Sequence, residues 1–241
     1  FMLNTRTADR KTLLMNLPNS HNHSHAPNRN AVVPLTERLR VDERFAGRGV
    51  RIAFLDSGFY PHDDLSGRIA AFHDVAGEDD ALEAIKTPQP HHWHGTQTTV
   101  VCAGDGRLSN GTYRGIASAA ELVLVKVSEG GRVTERNIER GLEWILENRE
   151  KYNVRVLNIS LGGDEDLSAA DSRIDWLAEE CVRHGIVVIA AAGNSALSEK
   201  AHSIPPANSP SVITVGGYAD GNQVDMRLFN LYHSNYGATK D

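Results

Sequence analysis

From residue 50 to residue 55 the chain carries Val50, Ile52, Ala53, Phe54 and Leu55, a short, nearly continuous apolar run that stops abruptly at Asp56-Ser57-Gly58. Apolar side chains at consecutive positions belong to a strand covered on both faces, as in the parallel sheets of α/β proteins. The run also leaves a carboxylate at the C-terminal tip of a buried strand, and in open α/β sheets ligand crevices form at that end. Taken alone, Asp56 reads as an Asx turn at a strand end. The rest of the chain decides between the two.

Similar apolar stretches lie at residues 68–72, 122–127, 154–159, 186–191 and 212–215, with helical patterns between them. Small and β-branched residues from Gly95-Thr96 to Ala103 predict a buried helix with His94 in its first turn. Thr134 caps a helix running to about Asn148, with Ile138, Leu142 and Ile145 on one face and Glu135, Glu139, Glu143 and Glu147 on another. Residues 168–184 give the clearest helix, with Ile174, Leu177, Ala178, Cys181 and Val182 on one face and Gly185 at the C-cap. Residues 35–45 show helical spacing (Leu35, Leu39, Phe45) and are expected to pack on the domain edge. The alternation predicts an α/β fold, a three-layer sandwich with a mainly parallel central sheet and helices on both faces, joined by right-handed crossovers.

At 241 residues, 40% hydrophobic and 23% charged, the chain has the size and composition of one large globular domain. Residues 34–241 read as that domain, and residues 1–33 as a mobile leader, a pro-segment or an expression remnant. His21, His23 and His25 alternate within the leader and read as part of a solvated polar tail. A net charge of −6 leaves no basic excess for a nucleic-acid partner, and no apolar run reaches the length of a membrane span. Cys102 and Cys181 sit in apolar helical patterns and read as inert thiols. The cytoplasm is the expected location, on the sole ground that the stretch carries no secretory signal.

Three polar stops are candidates for chemistry: Asp56, His94-Gly95-Thr96, and Ala191-Ala192-Gly193-Asn194. With these, Asn158-Ile159-Ser160-Leu161-Gly162-Gly163, Pro206-Ala207 and Ser234-Asn235-Tyr236-Gly237, in this order, the sequence resembles the subtilisin-like serine proteases, the subtilases. The resemblance covers about residues 45–241. It implies that Asp56 orients and stabilises a catalytic imidazole, that His94 is the general base and acid, and that Asn194 is the side-chain donor of an oxyanion hole. It further implies substrate-binding roles for Ser160, Leu161 and Gly162 on one wall of the specificity pocket and for Ala191, Ala192 and Gly193 on the other. Gly130 and Gly131 match the edge that pairs with an extended polypeptide substrate. The chemistry would need no cofactor, and the family leaves room for a structural calcium ion. The acidic trio Asp164-Glu165-Asp166 reads as a solvated loop.

Two departures from the family stand out. Thr98-Thr99-Val100 replace the usual small residues after His-Gly-Thr, which is expected to alter helix packing and leave the His untouched. No Gly-Thr-Ser-x-Ala-x-Pro segment occurs, and Ser57, Ser160 and Ser195 are poor substitutes for its nucleophile. The expectation is a subtilase truncated before its serine, supplied by a C-terminal segment or a second chain, so that this chain alone is inactive. The rival readings are a peptide-binding pseudo-protease and a metal-dependent hydrolase using His91, His92 and His94 with Asp56.

Overall fold

The computed structural model describes residues 32–86, 89–163, 168–194, 202–231 and 234–235. In chain order its elements are α1 (Leu35–Arg38), β1 (Arg51–Asp56), β2 (Ile69–Asp74), α2 (Trp93–Ala103), β3 (Glu121–Lys126), β4 (Ser128–Glu129), β5 (Arg132–Val133) and α3 (Glu135–Asn148). There follow β6 (Val154–Ile159), α4 (Arg173–Arg183), β7 (Val187–Ala191), β8 (Ile213–Val215), β9 (Tyr218–Ala219) and β10 (Asn230–Leu231). Six strands form one sheet in the order β2-β3-β1-β6-β7-β8, and every neighbouring pair is parallel. The expected α/β architecture with helices on both faces is what the chain adopts.

Side chains alternate across each strand, and the two faces collect different partners. Ala53 and Leu55 of β1, Val123 and Val125 of β3, and Val188 and Ala190 of β7 join Ile138, Leu142 and Ile145 of α3 and Ile174, Leu177 and Cys181 of α4. On the opposite face, Ile52 and Phe54 of β1 and Leu122 and Leu124 of β3 pack with Ala103 of α2, Phe59 and Leu65. The second face is covered only in part. Val187, Ile213 and Val215 alternate away from the α3–α4 layer and are 48%, 53% and 48% exposed, an apolar strip across β7 and β8.

Two local expectations need correction. The helix foreseen from residue 168 begins at Arg173, because Ser168 closes a turn of its own with Asp171 and Ser172 while the Ser172 hydroxyl caps the helix by accepting from the Asp175 amide at 3.2 Å. Residues 35–45 split into α1 and a separate 3-10 turn at Glu43–Phe45, where the Asp42 side chain accepts from the Arg44 amide and Phe45 stays 75% exposed. Gly130 and Gly131, matched to the edge that pairs with an extended substrate, form the turn of the β4–β5 hairpin with φ of +55° and +85°, which glycine adopts without strain. The leader as far as residue 31, the trio Asp164-Glu165-Asp166, Ser195 and Tyr236-Gly237 lie outside the described residues. Cys102 and Cys181 are both free, and burial pushes Cys181 up to about 12. Among the described residues no helix is long and apolar enough to cross a membrane.

The covered and bare faces should answer differently to mutation. Leu142→Ala, at a fully buried site under α3, is expected to cost about 2–5 kcal/mol, whereas Val215→Thr on the bare strip changes stability by less than about 0.5 kcal/mol. Urea unfolding midpoints of the two variants, at equal m-values, provide the check.

Candidate active site

Asp56 ends β1 on the same side as Ile52 and Phe54, the side on which α2 lies. Its carboxylate is 1% exposed. His94, in the first turn of α2, donates from Nδ1 to Asp56 Oδ1 at 2.8 Å, and its own side chain is 38% exposed. The Ser57 amide donates to the same oxygen at 2.6 Å, and the Thr98 hydroxyl lies 3.2 Å from Oδ2. The two residues that follow His94 are there for stated reasons. A Cβ on Gly95 would sit 2.2 Å from the Gly58 carbonyl oxygen and 3.0 Å from Asp56 Cβ, so only glycine lets α2 come this close. Thr96, 1% exposed, accepts from the Tyr60 amide at 3.0 Å and donates to the His92 carbonyl at 2.9 Å, fastening the helix to the loop after β1.

Three histidines stand close together with different electrostatics. The hydrogen bond to Asp56 raises the His94 imidazole above its ordinary pKa, against the opposing effect of burial. His92 is 5% exposed and burial takes it down to about 4, helped by neighbouring His91 and Lys126. Its Nδ1 accepts from the Gln89 amide at 3.3 Å, while Nε2 is buried without a partner. His91 is lowered by burial and Lys126, and its ring lies against Gly131 of the β4–β5 turn. Trp93, 53% exposed, meets the His94 ring edge-on with centroids 5.4 Å apart. Among the described residues no three His, Cys, Asp or Glu side chains converge as metal ligands. The rival metal-dependent reading of His91, His92 and His94 with Asp56 thus finds no converging ligand set among the described residues.

The other candidate residues lie along the same edge of the sheet. Ser160, Leu161 and Gly162 follow β6, and Ala191, Ala192, Gly193 and Asn194 end and follow β7, which pairs with β6 through Ile159 and Ala190. The walls are pinned from behind. A Cβ on Gly162 would lie 2.6 Å from the Pro205 carbonyl, which accepts from the Gly163 amide at 3.0 Å. Gly193 has φ of +105°, and its carbonyl accepts from the Asn235 amide at 2.9 Å. That turn leaves Asn194 exposed at the edge. β1 and β7 are separated by β6 alone, so the Asp56 and Asn194 ends stand two strand spacings apart, roughly 10 Å. Gly130 and Gly131 flank the cleft on the β3 side, where the buried Ser128 hydroxyl donates to the Ser57 carbonyl and ties the hairpin to the loop after Asp56. A cavity of about 470 Å³ opens at the other end of the sheet, among Arg149, Arg155, Arg183 and His184. It is remote from all of these residues.

Comparison with known proteins bears on this arrangement. The profile of the subtilase family (peptidase S8) matches residues 47–240. The chain is 37% identical to the serine protease AprX of Bacillus subtilis (strain 168) over 194 residues, 77% of this chain and 42% of that protein. It is 33% identical to subtilisin E of the same organism over 184 residues, 74% of this chain and 43% of that protein. The solved structure of sphericase superposes with a TM-score of 0.64 at 20% identity, over 86% of this chain and 66% of the other, a likeness of fold. The chain belongs to the subtilase family of serine proteases. It spans about two fifths of the length of the curated relatives it matches.

Sequence reasoning missed the Thr98 contact with Asp56 and the pinning of Gly193 by Asn235. Thr98 was expected to bear only on helix packing; its hydroxyl at i+4 from His94 was the available signal. Asn235 stood in a recognised motif without a role.

His92 makes a testable contribution to pH dependence. Its folded value of about 4 lies below the ordinary imidazole value, so the unfolded chain binds more protons between the two and stability falls as pH drops through that window. His94 acts in the opposite sense: its raised value favours the fold at low pH, and that contribution is lost as pH rises through it. His92→Gln should therefore remove about 2–3 kcal/mol of acid sensitivity between about pH 6.5 and pH 4. Parallel stability curves for the two proteins would contradict the assignment of a buried neutral His92.

Proposed function

We propose that this chain is the N-terminal part of a subtilisin-like serine endopeptidase that hydrolyses peptide bonds with an Asp-His-Ser triad. The reading rests on one observation above the others: a fully buried carboxylate holding a half-exposed imidazole at 2.8 Å. That pair can take a proton from a nucleophile at the free nitrogen, stabilise the resulting imidazolium, and return the proton to the leaving amine. Asn194, just past the end of β7 and two strands from Asp56, supplies a donor without a titrating charge for the oxygen that becomes negative. The substrate is a polypeptide, laid along the Gly130–Gly131 hairpin with one side chain between the Ser160–Gly162 and Ala191–Gly193 walls, and no cofactor enters the chemistry.

The nucleophile comes from sequence beyond Asp241 or from a second chain. Among the described residues no serine is hydrogen-bonded to His94. Ser57 Oγ lies against Asp56 and the His91 carbonyl, Ser128 donates to Ser57, and Ser160 accepts from Asn158. The apolar strip of Val187, Ile213 and Val215 lies on the same face as α2, and we propose it as the seat of the segment that brings the serine to His94. A binder without catalysis would gain nothing from an aligned and buried Asp-His pair, which favours the enzyme over a pseudo-protease.

Two measurements test this. A fluorophosphonate should leave residues 1–241 unlabelled and should label a serine of the added segment once that segment is restored; stoichiometric labelling of a serine within residues 1–241 would refute the reading. In the active protein, Asn194→Ala should lower kcat by roughly a hundred- to thousand-fold, a magnitude carried over from the subtilisin asparagine, with KM nearly unchanged. A raised KM with intact kcat would make Asn194 a binding residue instead.

A further inference from the structure

We propose that Thr98 is a positioning residue for the reaction: its hydroxyl donates to Oδ2 of Asp56 and holds the carboxylate at the angle that presents Oδ1 to His94. The inference rests on the reading of Asp56 and His94 as the catalytic pair. His94 and Thr98 are four residues apart on α2 and so share one helix face, and that face meets both oxygens of the same carboxylate.

The Thr98 hydroxyl has one proton and two acceptors in reach, Asp56 Oδ2 at 3.2 Å and the Gly95 carbonyl at 3.0 Å. The carbonyl has other donors. It lies at the helical i−4 position to the Thr99 amide, and the buried Thr99 hydroxyl donates to it at 2.7 Å, so both of its lone pairs are engaged. The proton of Thr98 is therefore directed to the ionised oxygen, which is also the stronger acceptor. Asp56 needs it. Oδ1 receives the His94 ring and the Ser57 amide, whereas Thr98 is the one donor to Oδ2 among the described residues, on a carboxylate too buried for solvent to serve. An ionised oxygen left unpaired at that depth is costly, and a carboxylate held at one oxygen only can swing out of register with the imidazole.

The rival account makes Thr98 an ordinary helix threonine bonded back to its own backbone, in which case its removal affects folding alone. The test separates the two by following the His94 ring through an NMR pH titration of the chain itself, which requires no turnover. Thr98→Val keeps the shape and deletes the donor, and it should lower the His94 pKa by about 0.5 pH unit or more as the bond to Asp56 loosens. Thr98→Ser keeps the donor and should return the value to within about 0.2 pH unit of the parent. In the active protein carrying its serine, Thr98→Val should lower kcat about tenfold with KM within about twofold, and Thr98→Ser should leave both near the parent values. A folded Thr98→Val protein whose His94 pKa is unchanged or higher overturns the proposal, and if that variant does not fold, Thr98→Ala is read by the same criterion. His94 titrating as expected in a protein that shows no proteolysis would count against the enzymatic reading and leave the Thr98 contact standing.

Discussion

The distance between α2 and the end of β1 is set by a side chain that is not there. At Gly95 the helix comes so close to the turn after Asp56 that a single added carbon would strike the Gly58 carbonyl. Everything on the catalytic side follows from that approach. It puts the first turn of the helix beside a buried carboxylate, lets Thr96 link the Tyr60 amide of the loop after β1 to the His92 carbonyl at the start of its own helix, and carries Thr98 to the second carboxylate oxygen. The helix does not need a strongly amphipathic sequence to sit there. Its buried positions include Gly95, Thr96, Thr99 and Ala103, small or hydroxyl-bearing residues whose polar atoms are satisfied within the helix or by the adjoining loop.

The two faces of the sheet are finished to different degrees. Beneath α3 and α4 the aliphatic residues of β1, β3, β6 and β7 interlock with two helices that also pack on each other, and that layer holds the larger of the two buried apolar clusters. On the catalytic face α2 covers β1 and β3 and stops short of β7 and β8. The larger apolar cluster thus lies on the face away from Asp56 and His94. The candidate catalytic groups sit at strand ends, loops and a helix start carried by that frame, the common division of labour in α/β proteins.

How much of this was legible in the sequence depended on whether a feature is periodic or relational. The strands could be read because they are continuous apolar runs, and α3 because Thr134 caps a strongly one-sided helix, its side chain accepting from the Asn137 amide. The start of α4 could not, since Ser168 and Ser172 offer equally good caps and only the turn made by Ser168 decides between them. Asp56 and His94 were legible as members of a family pattern, but spacing alone gives no hint that residues 38 positions apart meet. The Thr98 contact was hidden because threonine in a helix usually bonds to its own backbone, and the exception depends on a carboxylate from another element. The pinning of Gly193 by Asn235 was hidden in the same way: it joins segments with no local periodicity to report them.

The position of β6 between β1 and β7 has a consequence for how such a site can change. The Asp56 carboxylate that holds the α2 imidazole ends β1 and the Asn194 carboxamide follows the end of β7, with one strand between them. Backbone hydrogen bonding fixes strand spacing within a few tenths of an ångström, so the sheet works as a ruler for the gap between the Asp56 and Asn194 ends, the ends that the proposed reaction assigns to proton transfer and to the developing negative charge. Loops can lengthen, walls can exchange side chains and the hairpin can alter its tip without disturbing that gap. Under the proposed reaction, selectivity is therefore free to drift at the rim while the spacing of the Asp56 and Asn194 ends stays set by the sheet.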